Sequence, residues 1–210
     1  MVTRAKALDM KALAITDHGN MYGAIKFYKK CREEGIKPII GCEIYVSRRT
    51  RHNKEAGIDT DSNHLILLAK NRDGYKNLMK IISIANLEGY YYRPRTDIEL
   101  LNEYHEGLIC LSACLNGYVS EPLLQNQEKT AEKRAENLSQ IYGKDSFYLE
   151  LQKHIDVKGQ DTLNEKLIGL SKKLGIPLVA TNDNHYVYDG DAQAQEILLC
   201  IQTQTTIDTK

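Results

Sequence analysis

Four short stretches of this chain carry side chains that bind cations or move protons. Asp17-His18-Gly19 follows the apolar run Ala12–Thr16, and Asn182-Asp183-Asn184-His185 follows Pro177–Thr181. Cys114 comes just after the run Gly107–Ser112, and Glu43 sits inside Pro38–Val46, where every other residue is uncharged. Imidazole, carboxylate and thiolate are donors that zinc or manganese accepts, and imidazole also shuttles protons near neutral pH. Taken singly, each has an ordinary explanation. Asp17 can cap a helix, and Cys114 can be a small buried apolar side chain. Glu43 resists that treatment, because an unpaired carboxylate is costly to bury in an apolar strand. Asp183 and His185, two apart in an extended segment, share one face.

The elements that must position these residues alternate along the chain. Strands are expected over Ala12–Thr16, Pro38–Val46, Leu65–Ala69, Gly107–Ser112, Ser146–Leu151 and Pro177–Thr181. Helical patterns lie between them, over about Tyr22–Glu34, Tyr75–Leu87, Glu128–Ile141, Thr162–Leu174 and Ala192–Ile201. In the first of these, Ala24, Ile25, Tyr28 and Cys31 fall on one face and Gly35 supplies the stop. This alternation predicts one α/β domain over residues 1–210 with a largely parallel sheet, open or closed as a barrel. The carboxyl ends of parallel strands form the functional face of such folds, so the donors are expected at one rim. His64 stands at the start of its strand, which is the wrong end of a parallel sheet. An antiparallel hairpin between Ile39–Val46 and Leu65–Ala69 would return it to the level of Glu43. His52, His105 and His154 lie in polar surroundings and read as surface residues.

Composition limits the function classes. The 28 Lys+Arg balance the 28 Asp+Glu, which excludes a globally basic protein that coats nucleic acid and a polybasic membrane binder. With 42% hydrophobic and 27% charged residues, wholesale disorder is excluded too. The apolar runs Leu65–Ala69 and Ile197–Ile201 fall far short of the roughly 20 residues that span a membrane. Five cysteines without a Cys-x-x-Cys pair fit neither a disulfide framework nor a zinc ribbon. A soluble, cytoplasmic protein without membrane contact is expected. Two polar segments offer weak DNA contacts: Arg48, Arg49 and Arg51 in one, and Arg93 and Arg95 beside Tyr90–Tyr92 in the other. There arginines would hold phosphates while tyrosines stack on bases, although a solvated loop and packed tyrosines explain the same residues.

The stretches ALAITDHGNMYGAIKFYKKCREEGIKPIIGCEIYV, HLILLAKNRDGYKNLMKI, GLICLSACLNGYV and IPLVATNDNHYV resemble the PHP (polymerase and histidinol phosphatase) domain. Within that family the resemblance is to the members at the N-terminus of the bacterial DNA polymerase III alpha subunit. LLCIQTQTTID resembles the segment that leads on toward the polymerase core. The resemblance implies a distorted (β/α)7 barrel, TIM-like, with up to three divalent metal ions, zinc or manganese, at its C-terminal rim. It assigns His18, Glu43, His64, Cys114, Asp183 and His185 as metal ligands, with Glu43 bridging two ions and Asp17 orienting His18. Glu43, Asp183 and His185 would be the catalytic residues.

The family opens with a strand carrying His-x-His and then an acidic ligand. Neither precedes the helix-like segment Val2–Met10, so the expectation is a barrel lacking its first strand and holding fewer ions. The middle set, Glu43, His64 and Cys114, would be complete. The implied activity is metal-dependent phosphodiester hydrolysis of the 3′–5′ exonuclease type, serving proofreading in DNA replication. The implied partners are a DNA 3′ end, the rest of the polymerase alpha chain and a separate proofreading exonuclease subunit. Two other readings stand beside it: a platform that stabilises the polymerase and docks the proofreading subunit, and a free-standing PHP phosphatase.

Overall fold

The computed structural model describes residues 1–154 and 157–209. Helix α1 (Val2–Ala7) leads to β1 (Ala12–Ile15), α2 (Ala24–Glu34) and the long β2 (Lys37–Ser47). Then come β3 (Ser62–Ala69), α3 (Arg72–Leu87), the strand pair β4 (Tyr90–Tyr91) and β5 (Arg93–Thr96), and α4 (Ile98–Glu103). The second half runs β6 (Leu108–Leu111), α5 (Ser120–Leu124), α6 (Glu128–Tyr142), β7 (Phe147–Gln152), α7 (Gln160–Leu174), β8 (Leu178–Thr181) and α8 (Ala192–Thr203). Local chemistry sets several boundaries. Gly35 ends α2 in the left-handed region at φ 74°, where a side chain would be strained. Asn71 starts α3 by accepting the Gly74 N–H at 2.9 Å. The short β4, β5, α4 and α5 were not expected, because elements of two to six residues carry too little periodicity to read.

The sheet runs β4-β5-β2-β3-β6-β7-β8, with β1 also paired to β2. Four pairs are parallel: β1 with β2, β2 with β5, β6 with β7, and β7 with β8. Strand β3 is antiparallel to both β2 and β6, so the expected largely parallel sheet is corrected to a mixed one. The physical reason is the connection. Residues 48–61 contain no helix to cross the sheet, so the chain returns as a long hairpin. The hairpin expectation for His64 therefore holds: Tyr45 pairs with His64 and Glu43 with Ile66.

Both faces of β3 are covered, which explains the unbroken Leu65–Leu68 run. Leu65 and Leu67 enter the main core with Leu78 and Ile81 of α3, Leu138 of α6, and Leu163 and Leu167 of α7. Each such fully buried side chain contributes about 1.5–3 kcal/mol. Ile66 points the other way and packs with Leu111 and Ala113 in a smaller inner cluster that Leu68, Ile109 and Val179 complete. Packing thins toward β8, where Leu178 is 38% exposed, and no residue of α8 is buried. Among the described residues β1 and β8 do not pair. The sheet nonetheless curls enough that His18, beyond β1, and His185, beyond β8, bring their ring centroids within 6.0 Å.

Candidate functional site

Glu43 stands in the middle of β2 with 5% of its surface exposed. Its Oε1 lies 2.7 Å from Nδ1 of His64 and 3.2 Å from Nδ1 of His18. No hydrogen bond of normal geometry reaches that oxygen, although both rings crowd it. The Cys114 Sγ is 3.6 Å from the same His64 nitrogen. His18 is delivered by backbone pairing to β2. The Glu43 N–H donates to the Asp17 carbonyl at 3.1 Å, and the Gly19 N–H donates to the Glu43 carbonyl at 2.8 Å. Gly19 has to be glycine: its φ is 65°, and a Cβ there would stand 2.8 Å from Cγ of Pro94. Asp17 contributes its backbone. Among the described residues no hydrogen bond links its carboxylate to His18, and what its backbone does is pair the chain to β2.

Cys114 leaves β6 through Ala113, a non-glycine residue at φ 62°. That left-handed conformation costs on the order of 1 kcal/mol and must be held by its surroundings. The Ala113 N–H donates to the Glu150 carboxylate at 2.9 Å. On its far side the turn is stitched to β3: the His64 N–H donates to the Asn116 carbonyl, and the Tyr118 N–H to the His64 carbonyl, each at 3.0 Å. Asp183 is likewise left-handed, at φ 51°. Nδ1 of His185 lies 3.0 Å from the Asp183 carbonyl oxygen and 3.9 Å from its Oδ1. His18 faces His185 on one side and His64, at 6.2 Å between centroids, on the other. The six residues expected as ligands thus reach one rim. A cavity of about 610 Å³ opens against Cys114, Asp183 and His185. His154, expected as a surface residue, lines this cavity with Nε2 3.2 Å from Oε1 of Gln152.

The charges at the rim are strongly coupled. Burial works to raise the pKa of Glu43, but the His18 and His64 imidazoles prevail and hold it down at about 2. Burial works to lower that of His64, and Cys114 and Glu43 together push it up to about 9. His18 is raised above its ordinary value chiefly by Glu43. As they stand, the donors turn toward one another. Among the described residues no three His, Cys, Asp or Glu side chains already surround one point as a metal cage.

Residues 1–154 match the family model of the PHP domain. The chain belongs to the PHP domain family. It is 49% identical over 204 residues to DNA polymerase III subunit alpha of Borreliella burgdorferi, and 46% identical over 199 residues to that of Thermus aquaticus. These matches cover 97% and 94% of this chain but 18% and 16% of those proteins, so the chain spans less than a fifth of their length. A solved structure from Bifidobacterium adolescentis, described as a metal-dependent phosphoesterase, has a TM-score of 0.53 at 12% identity. That likeness covers 94% of this chain and 88% of the other, and what the two share is the fold.

Within this PHP domain the arginines expected to touch DNA divide sharply. Arg95 is fully buried, which removes it as a surface contact and corrects that expectation. Arg48 bonds Glu121 at 2.9 Å. Arg49 pairs with Asp59 and with Glu55, and Arg51 with Asp97 and Glu88. These three brace the segment between β2 and β3. Arg93 is different: it is exposed, and its guanidinium lies 5.7 Å from the centroid of the Tyr45 ring, which itself meets His64 edge-on at 5.3 Å. Sequence reasoning missed Glu150, which is 4% exposed in β7. Its signal was the one that Glu43 gave, a carboxylate inside an apolar strand.

Proposed function

We propose that residues 1–210 form one PHP domain of a replicative DNA polymerase alpha chain. Its rim is a divalent-metal phosphoesterase site that removes nucleotides from a DNA 3′ end. The observation that carries this reading is Oε1 of Glu43, buried, without a normal hydrogen bond and crowded by His18 and His64, with Cys114 beside the latter. Buried polar groups are nearly always satisfied, so an orphan among nitrogen and sulfur donors marks a cation site. The donor types fit zinc through Cys114 and the imidazoles, and manganese through the carboxylates and imidazoles. His18, Glu43, His64 and Cys114 would hold ions on one side of the rim, and Asp183 and His185 on the other.

Such a cation, when bound, lowers the pKa of a water toward neutrality and screens the charge of a phosphodiester. The chain's own groups do the rest. Glu43 supplies a permanent negative charge at the centre. His64 must give up its proton before its nitrogen can serve as a donor. His18, whose ring is half exposed, can pass protons between rim and solvent. Arg93, above Tyr45, places a positive charge where a DNA strand would approach. The polymerase activity, the cytoplasmic setting and a separate proofreading subunit as partner belong to the same reading. Among the described residues no helix is long and apolar enough to cross a membrane.

A second reading rests on α8, where Leu198 is 60% and Ile201 70% exposed. That apolar surface favours a platform role, with the domain stabilising the polymerase and docking its partner. One experiment separates the two. The full-length protein is analysed for zinc and manganese and assayed for release of the terminal nucleotide from 3′-labelled DNA, with and without a chelator. Bound metal with chelator-sensitive release, lost in C114S, supports the phosphoesterase. Bound metal without release leaves the platform.

A further inference from the structure

Glu150 is a buried carboxylate that the proposed reaction does not use. Its own N–H donates to the Ser112 hydroxyl at 2.8 Å, which fixes β7 against the end of β6. Oε2 accepts the Ala113 N–H at 2.9 Å. Oε1 accepts from the Thr181 hydroxyl and, at 3.3 Å, from Nε2 of Gln152. All three neighbours donate, and an ionised carboxylate is the side chain that only accepts. The three donors belong to different parts of the rim. Ala113 immediately precedes Cys114, Thr181 ends β8 two residues before Asp183, and Gln152 lines the cavity wall. The parallel register of β7 and β8 sets Glu150 beside Val179 and Gln152 beside Thr181, so the carboxylate reaches diagonally along the sheet to the strand end.

We propose that Glu150 is a positioning residue that ties the turn carrying Cys114 to the end of β8 and so fixes Cys114 relative to Asp183 and His185. On this side of the turn Ser112 is pinned to β7, its N–H donating to the Tyr148 carbonyl at 3.1 Å and its hydroxyl accepting the Glu150 N–H, while the Glu150 carboxylate is what bonds the left-handed Ala113 itself. The β3 contacts at Asn116 and Tyr118 secure only the far end. The proposal rests on the reading of the rim as a metal donor set, but its core is metal-independent: it concerns where the Cys114 thiol points.

The test uses the full-length protein. In the metal-free state, alkylation of Cys114 by iodoacetamide is followed by mass spectrometry in E150A, E150Q and T181V. E150A strands the Ala113 N–H, and the expected rise in Cys114 alkylation is about tenfold. The buried Cys31, Cys42 and Cys110 should stay protected, which distinguishes a released turn from general unfolding. E150Q keeps one acceptor for Ala113 and should restore most of the protection. T181V touches neither Cys114 nor its strand, yet should raise the rate by about threefold through the lost tie. The second readout is cobalt, whose thiolate charge-transfer band reports Cys114 as a ligand and should weaken in E150A. An unchanged Cys114 rate in folded E150A overturns the proposal. Should E150A fail to fold, an unchanged rate in T181V does the same. A missing cobalt band in the unmodified protein would refute the metal reading alone, since the alkylation rates still decide the brace.

Discussion

Arg95 and Glu43 are charged side chains buried on neighbouring strands, β5 and β2, and their surroundings treat them in opposite ways. The Arg95 guanidinium donates to the carbonyls of Gly89 at 3.1 Å, Asp59 at 2.8 Å, Asn53 at 2.7 Å and Arg51 at 3.3 Å. The cation organises a loop around itself and asks nothing of solvent or ligand. Glu43 has two imidazoles against one oxygen and no bond of normal geometry to it. A satisfied buried charge specifies shape. A charge that is paired to two imidazoles but has no hydrogen bond of normal geometry on its buried oxygen keeps bonding capacity for a group that the polypeptide does not supply.

The largest expected effects test that division directly. Arg95→Ala would strand two buried and two part-buried carbonyls and remove a large side chain from a filled space, at a cost of about 3–5 kcal/mol. Thermal melts of the metal-free full-length protein should show it plainly, and a change of only a few tenths would break the comparison. Glu43→Gln should behave differently. Loss of the pairing to His18 and His64 is offset by relief from burying a charge, so stability should change by only about 1 kcal/mol. Zinc affinity, measured by titration calorimetry, should fall by about 100-fold, beyond the usual effect of groups that merely support a ligand. A large loss of stability with unchanged zinc binding would reverse the roles assigned to the two regions.

The two residues also mark how far the sequence could be read. Glu43 was legible because its oddity is local, a carboxylate among apolar neighbours, and the strand ends with His18, Cys114 and His185 were legible for the same reason. The return of His64 to that level followed from the lack of a helix between β2 and β3. Arg95 was misread as a DNA contact because its tyrosine neighbours are local, whereas three of its partners lie 36 to 44 residues away as backbone carbonyls. Carbonyls have no signature in a sequence. Glu150 shows the same limit from the other side. Its local signal matches that of Glu43, and only the distant Ala113 and Thr181 reveal that one carboxylate is satisfied and the other orphaned.

The smallest of these effects separates the two regions by pH. His64 is raised from 6.5 to about 9, so its contribution to the metal-free protein is complete below about pH 6.5 and is lost as pH rises through 9. Around Arg95 the nearest acid is Asp59, held down at about 2 chiefly by Arg49, and its contribution is lost only as pH falls from about 4 toward 2. Between pH 6.5 and 9 the rim should therefore weaken while the loop clamp stays constant. The stability difference between the unmodified protein and His64→Ala, both metal-free, should shrink over that window by on the order of 1 kcal/mol. The corresponding difference for Arg95→Ala should stay flat. Zinc affinity should rise over the same window, because His64 has to shed its proton to become a donor. A pH-independent difference for His64→Ala would mean that Glu43 is not balanced by a charged imidazole. In that case the orphaned oxygen would have to be explained by the fold alone.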